Sequence, residues 1–549
     1  MIDYDEIKSR LLQILEGEIF DDEDTLQTYS KDASLFEVKP KLVIWPKSAE
    51  DIKKVVKFVS ANKSRYPDLS ITVRAAGSCM SGGSLGESII LDVSKYLNKF
   101  SVDPTNKSAE VEPGVFYRDF ELETLKHNLL LPCYTASKNL CALGGMVGNN
   151  AAGEKTLHYG KMENYVEELS VILRDGNEYR IKPLNRVDLL RKSHESSVEG
   201  EIYEKMLSLL DQNREIIKKA KPDVSKNSAG YYLWNIEENN LFNLNKLLVG
   251  SQGTLGIVTS AKIKLVDTKS KSKMFVIFMN SLDGLGEIVN TIMKHDPESV
   301  ESYDDSTLKL AMRFLPEMLR LMKANFLKLM FSFLPEAFMV IRGGMPKLIL
   351  MVEFADNDEN KIDVKMEALE YDMQKFNLKT RKTNSKEDSE KYWTIRRESF
   401  NLLRKHIRGK RTAPFIDDIC IQPRYLPEFL PQLRKILDSA KLLYTVAGHA
   451  GNGNFHIIPL MDMRDHHNRA LIPTLSEKVY NLLAKYKGSI TAEHNDGIVR
   501  TPYLNKMYSP KILELFKETK NIFDPQNIFN PGKKVNGTVE YMVGHLAKS

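Results

Sequence analysis

Cysteine is scarce in this chain. Cys79, Cys133, Cys141 and Cys420 are the only four among 549 residues, and no two form a CxxC pair. That argues against an iron–sulfur cluster held by the chain itself, and it suits a reducing compartment, so a cytoplasmic location is expected. Charge of one sign is lacking too: a formal net charge of +5 over this length does not single out nucleic acid as a partner. The first twenty residues, MIDYDEIKSRLLQILEGEIF, are acidic and amphipathic. They lack the basic start and apolar run of a signal peptide, so none is expected. There is no GxGxxG and no GxxxxGK[ST], which leaves out the two common nucleotide fingerprints. Internal repeats and low-complexity segments are absent as well.

What is present is glycine in dense clusters. Leu140 to Gly160 reads LCALGGMVGNNAAGEKTLHYG, with almost nothing in its centre that could fill a core. Small residues at this density let a backbone approach something flat or anionic, because glycine has no Cβ to clash. A structural turn needs one or two such residues. A run of them reads as a cradle of backbone amides around a phosphate-bearing cofactor. RAAGSCMSGGSLG (Arg74 to Gly86) follows the strand-like ITV, and GSQGTLGIV (Gly250 to Val258) follows LLV. Three such loops, each leaving a β-like run, suggest one long ligand crossed by several segments.

Together, RAAGSCMSGGS, YTASKNLCALGGMVGNNAAGEKTLHYG and GSQGTLGIV resemble the FAD-binding domain of the vanillyl-alcohol oxidase / p-cresol methylhydroxylase family, in the branch of D-lactate, glycolate and D-2-hydroxyglutarate dehydrogenases. The resemblance implies FAD extended between two α+β subdomains, with the first two segments on the pyrophosphate. The residues it places on the cofactor are Arg74, Ala76, Gly77, Ser78, Ser81, Gly82, Thr135, Gly144, Gly145, Asn149, Gly153, Gly160, Gly256, Ile257 and, in the tail IFDPQNIFNPGK, Asn530. Without the resemblance that tail reads as a Pro/Asn turn. Some relatives attach the flavin through a histidine at the position of Ser78. Serine cannot make that link, so non-covalent FAD is expected.

The length allows two to four domains, and the composition is ordinary for a globular protein. Residues 1–36 read as a helix followed by an acidic turn (Asp21 to Asp24). Short strands at Leu42–Trp45, Ile71–Val73, Ile89–Val93 and Ala109–Val111 alternate with helices after Ser48 and from Tyr117 to Asn128. Val166–Leu173 and Glu178–Ile181 flank Asp175-Gly176 as a hairpin. This is α+β patterning. The expected division is an N-terminal segment (1–36), an FAD-binding domain of two α+β subdomains (37–270), a substrate or cap domain with an antiparallel sheet and helices (271–487), and a C-terminal segment returning to the first domain (488–549).

The second half carries GHAGNGNFH, Gly448 to His456, and later ITAEHNDG. On residue types alone, two histidines across a glycine turn read either as half of a divalent-metal site or as hydrogen-bonded turn residues. The resemblance implies the former: His449, His456 and Glu493 as ligands of a divalent metal, Zn²⁺ first, and His494 as the base that takes the substrate hydroxyl proton. It also implies Arg396, in the WxxR pattern Trp393 to Arg396, as the anchor of the substrate carboxylate; alone, that stretch reads as the basic face of a solvated helix. Arg397 and Arg411 are weaker candidates. Asp417 and Asp418 read as partners of a histidine or as a turn before a strand. Two departures stand out: Asn495 where relatives carry glycine, and Asn452 where they carry aspartate. Asparagine tolerates the left-handed backbone, whereas Asn452 removes a negative charge.

The expected function is FAD-dependent oxidation of a D-2-hydroxy acid. Its electrons would pass to a quinone, a cytochrome, a separate iron–sulfur subunit or oxygen. The alternatives are a non-redox transferase on the same fold, like alkyl-dihydroxyacetone-phosphate synthase, or a flavin-bearing relay or structural subunit. Residues 308–340 are rich in Leu, Met and Phe with five basic residues. No uncharged run there nears the ~20 residues of a spanning helix. Two readings fit: a basic amphipathic segment lying on the inner face of a membrane, or a pair of helices packed on the cap.

Overall fold

The computed structural model describes residues 3–313, 344–383, 388–397 and 409–548. Most of 308–340 lies outside them. Three sheets organise the chain, in a mixed helix-and-sheet architecture that agrees with the α+β expectation. The first has four strands in the order Glu18–Phe20, Leu42–Trp45, Ile89–Asp92, Ile71–Arg74. Its three inner pairings include two parallel ones. Parallel strands need cover on their faces, and Leu42, Val43, Ile44, Ile89, Ile90 and Leu91 are all buried. The amphipathic helix Ala49–Asn62 supplies part of that cover through Ile52, Val55, Val56 and Val59.

The second sheet is antiparallel, ordered Phe100–Asp103, Ser108–Val111, Ile257–Lys264, Val166–Ile172, Glu178–Ile181. The expected hairpin is there, turning at Gly176 with φ +70°.

The third sheet has eight strands, all paired antiparallel. Its centre is Lys271–Met279, Leu348–Asp356, Ser299–Asp304, Leu443–His449 and Asn454–Met461. Alternation divides its faces. Phe275, Ile277 and Met279 join the main core together with the helices Leu285–Met293 and Glu359–Met373. Met274, Val276 and Phe278 point the other way, into a cluster with Tyr303, Tyr392, Trp393 and Ile395.

Three local expectations need correction. The acidic run Asp21 to Asp24 is no turn: Asp22 caps a helix, Glu23–Tyr29, by accepting from Thr25 N, and Glu23 and Asp24 sit in its first turn, where acidic side chains are favoured. Glu18–Phe20 is an edge strand rather than the end of the first helix. The centre of the long glycine stretch is a seven-residue helix, Leu143–Asn149, and the LLV before Gly250 belongs to a helical turn, Asn245–Leu248. Glycine content hid the first, since it lowers helix propensity while leaving room for close packing; the second, NKLL, is a single turn too short to show a helical period. A Cβ on Gly144 would lie 2.5 Å from Pro113.

The chain end returns to its start. Phe529 bridges Ile71 in parallel, and Leu546 bridges Phe36.

Candidate active site

A cavity of about 830 Å³ opens between the glycine-rich segments and the eight-stranded sheet, a volume in the range of cofactor sites. One wall is made of Ala76, Gly77, Ser78, Thr135, Gly144, Gly145, Asn149, Gly256 and Ile257. A Cβ on Gly145 would meet nothing within 4 Å, and one on Gly148 only the Cα of Gln252 at 4.0 Å. These two glycines therefore leave a hollow on the cavity side that any larger residue would fill. That hollow fits a flat, phosphate-bearing group such as FAD, which the domain 37–270 is expected to hold.

The opposite wall carries His449, His456, Glu493, His494 and Arg396. The strands Leu443–His449 and Asn454–Met461 pair so that Ala447 lies opposite His456. A tight helical turn at Ala450–Asn452 and Gly453 at φ +65° join them. Gly453 is forced: a Cβ there would lie within bonding distance of the Ile421 carbonyl. Both histidines thus project from one face, with ring centroids 5.3 Å apart. His494 stacks on His456 at 5.1 Å.

All three imidazoles face a carboxylate at Nδ1. His449 Nδ1 bonds Glu301 Oε1 at 2.5 Å, and His456 Nδ1 bonds Asp417 Oδ1 at 3.1 Å. His494 Nδ1 lies 2.9 Å from Asp417 Oδ2, though off the hydrogen-bond direction. A carboxylate at Nδ1 fixes the tautomer that leaves Nε2 with its lone pair. The three Nε2 atoms converge on Glu493 Oε1, at 3.5, 3.4 and 3.8 Å. Nitrogen lone pairs around a carboxylate oxygen form a donor set suited to a divalent transition metal. Asp418 is also within reach, its ligand atom lying within 4.8 Å of those of His456, Glu493 and His494. Its oxygens are already committed. Oδ2 accepts from the backbone N–H groups of Ala492, Glu493 and His494 and from Thr491 Oγ1, and Oδ1 accepts from Asn454. Asp418 pins the segment that carries Glu493 and His494.

Carboxylates outnumber the Lys and Arg side chains in this cluster. Glu301, Asp417, Asp418 and Glu493 are four nearly or fully buried carboxylates, facing Lys226, Arg396 and Arg500. The surplus of carboxylates favours protons on two of the imidazoles. Burial alone would push His456 down, but Asp417 and Glu493 outweigh it and raise it to about 10. His494 is raised by Asp418 and Asp417 against the same burial. Glu493 is held well below the carboxylate range, Lys226 and His449 overcoming its burial. A divalent metal would replace those protons.

Arg396 Nη2 meets Glu301 Oε2 at 3.3 Å. Its Nε is buried and has no hydrogen-bond partner, and the residue lines the cavity. Arg397 lines the cavity too, paired with Glu154 at 2.6 Å, and Arg411 donates to Ser34 O at 3.4 Å.

Six of the expected cofactor residues stand behind the wall rather than on it. Arg74 lies over the Tyr29 ring and donates to the Tyr29 carbonyl. Ser81 is fully buried and its carbonyl accepts from Ile498 N. Gly82, at φ +77°, makes room for Phe36 and Ile498. Gly153 passes close against the Tyr134 carbonyl, and Gly160 ends the turn Thr156–Tyr159 at φ +77°. Asn530 is buried and ties three segments together, donating to Gly83 O and Gln252 O while its own carbonyl accepts from Thr72. These residues shape the loops that touch the cavity.

Sequence reasoning missed Lys226, Glu301 and Gln252. Lys226 is completely buried; its Nζ bonds Glu493 Oε2 at 2.9 Å and the Gly153 carbonyl at 3.3 Å, joining the two walls. Gln252 bridges Ser81, Asn149 and Gly497 N. The two departures also resolve. Asn495 adopts φ +67° as glycine would, and its amide holds Gly250 O at 2.9 Å. Asn452 directs its amide to Ser225.

A protein-family profile described as the FAD binding domain matches residues 40–182, and one described as the C-terminal domain of FAD linked oxidases matches residues 268–534. The chain thus carries the FAD binding domain and the C-terminal domain of FAD linked oxidases. It is 27% identical to D-2-hydroxyglutarate dehydrogenase of Haemophilus influenzae, over 95% of this chain and 50% of that protein. It is 24% identical to D-lactate dehydrogenase of Archaeoglobus fulgidus, over 90% and 91%. The chain thus spans about half the length of the Haemophilus relative. The solved structure of p-cresol methylhydroxylase with substrate bound shares the fold, with a TM-score of 0.69 at 15% identity, covering 97% of both chains. An FAD-linked oxidase fold accounts for the glycine wall: FAD is the group it is built to hold.

Proposed function

We propose that this FAD-linked oxidase oxidises a D-2-hydroxy acid to the 2-oxo acid. One observation carries the reading. Three imidazole Nε2 atoms converge on Glu493 Oε1, with the unpartnered Nε of Arg396 on the same cavity as the glycine wall. A hydroxy acid has two functions to match, a carboxylate and a hydroxyl. Arg396 offers the donor for the first. The His/Glu cluster faces the second.

Bound FAD, held non-covalently because Ser78 cannot form a histidyl link, supplies the acceptor for the two electrons and the Cα hydrogen. A divalent metal such as Zn²⁺, held by His449, His456 and Glu493, would supply Lewis acidity toward the hydroxyl. His494 is the base. Asp417 faces its Nδ1, so Nε2 is the atom that takes the hydroxyl proton. Glu301 and Asp417 orient the imidazoles, and Lys226 fixes the second oxygen of Glu493.

Electrons then leave to an external acceptor: a quinone, a cytochrome or a separate iron–sulfur subunit. All four cysteines stand free. Among the described residues no helix is long and apolar enough to cross a membrane. Segment 308–340 is proposed as the contact with a membrane surface, tested by flotation with anionic liposomes. The function itself is tested by anaerobic bleaching of the flavin bands with D- and L-hydroxy acids. D-enantiomers are expected to bleach the flavin, and failure of every hydroxy acid would overturn the reading.

A further inference from the structure

The face that presents His449 and His456 continues past them. Side chains alternate along a strand, so Thr445 and Ala447 share the face of His449, and Ile458 shares that of His456. The register places Thr445 opposite Ile458 and Ala447 opposite His456. All three line the cavity. The intervening Val446, Phe455 and Ile457 point into the main core instead. Behind Ala447 lies the apolar cluster of Met274, Val276, Tyr303, Trp393 and Ile395. On these two strands, then, the wall beside the His/Glu cluster is methyl groups and one hydroxyl, with Thr307 and Thr394 lining the cavity from other elements.

The cations are placed differently. Among the described residues three cationic side chains other than histidine line the cavity, and each faces a carboxylate: Arg396 with Glu301, Arg397 with Glu154, and Lys138 with Glu121. Of these, Arg396 keeps a buried donor without a partner. One carboxylate can be satisfied there. A second would lie against Thr445, Ala447 and Ile458, where burying an unpaired charge is strongly unfavourable.

We propose that Thr445, Ala447 and Ile458 form the subsite for the substrate's side chain, and that the substrate is a 2-hydroxy monocarboxylic acid with a small, uncharged side chain rather than a 2-hydroxy dicarboxylic acid. This rests on the hydroxy-acid reading above. It separates the chain from the relative named for hydroxyglutarate and sets it beside the one named for lactate.

The test is anaerobic stopped-flow reduction of the FAD-loaded protein by D-lactate, D-2-hydroxybutyrate and D-2-hydroxyglutarate. The monocarboxylates are expected to reduce the flavin with an efficiency at least about 10²-fold above hydroxyglutarate, as a missing charge partner discriminates at that level. Two variants, Ile458→Arg and Thr445→Arg, each place a cation on this wall. Each is expected to shift the ratio toward hydroxyglutarate by about tenfold or more, and either suffices if the other fails to fold. Hydroxyglutarate reducing wild type as well as lactate would overturn the subsite while leaving the hydroxy-acid reading in place. So would ratios unmoved in both variants. A flavin that no hydroxy acid reduces would overturn both.

Discussion

The two walls of the cavity are specified by opposite means. The glycine wall works by withholding side chains. Gly145 and Gly148 present nothing toward the cavity, and the ordering is done behind them by Gln252 and Asn530. The histidine wall works by crowding: three imidazoles, four carboxylates and three cations, each held by at least one other charged group or backbone contact. A wall of absences tolerates change until something intrudes. A wall of mutually compensating charges fails when any one member is removed.

The largest effect is expected on the charged side. His494→Ala should retain FAD and slow flavin reduction by about 10²–10⁴-fold, read by stopped-flow. His449→Ala, His456→Ala and Glu493→Ala should instead lose bound metal and turnover together, read by metal analysis on the same preparations. Lys226→Met comes next. It leaves the Glu493 carboxylate buried without its cation, which costs about 3–5 kcal/mol. Urea unfolding should show the loss, and Lys226→Met combined with Glu493→Gln should recover most of it. Recovery would show that the charges act on one another rather than through packing.

On the glycine side a pair of neighbours sharpens the contrast. Gly145→Val should empty the FAD site while the apo protein unfolds within about 0.5 kcal/mol of wild type, as for a substitution away from packed contacts. Gly144→Ala should do the reverse, losing about 1–3 kcal/mol from overpacking against Pro113 with normal FAD content per folded molecule. Absorbance at the flavin bands against protein concentration separates the two.

The smallest effect lies away from both walls. His545 bonds Glu87 at 3.0 Å and fastens the chain end. The Glu87 contact raises His545, and the same contact holds Glu87 down. The imidazole contribution is complete below its ordinary value of about 6.5 and fades as pH rises through the raised one; the carboxylate contribution needs a pH above about 4.3. Glu87 is largely exposed, so His545→Gln should lower stability by less than about 1 kcal/mol. The difference from wild type should be greatest between those limits and shrink toward pH 9.

The sequence made the glycine wall readable because its signal is local: small residues in runs, whatever surrounds them. GHAGNGNFH and AEH were readable for the same reason. The partners were not. Glu301 sits 148 residues from His449 and Lys226 sits 267 from Glu493. Nothing near either residue marks it, because the fold alone brings them into place. Asp417 and Asp418 show the limit well. Neighbours in sequence, one bonds His456 and faces His494 while the other holds three backbone amides, with a left-handed backbone at Asp418, φ +71°. The glycine-rich helix Leu143–Asn149 failed on propensity, which tertiary packing overrode, and the NKLL turn was too short to show a helical period.

The parallel bridge between Ile71 and Phe529, with Asn530 reaching Thr72 across 458 positions, sets an order of events on the ribosome. At roughly 5–20 residues per second, the first sheet waits on the order of tens of seconds for its last partner to be translated. The eight-stranded sheet, whose pairings all fall between Lys271 and Met461, is fully synthesised before then. The domain that begins first finishes last, and through that interval the rim beside Ile71 is the nascent chain's exposed flank, where a holding chaperone would have its longest hold.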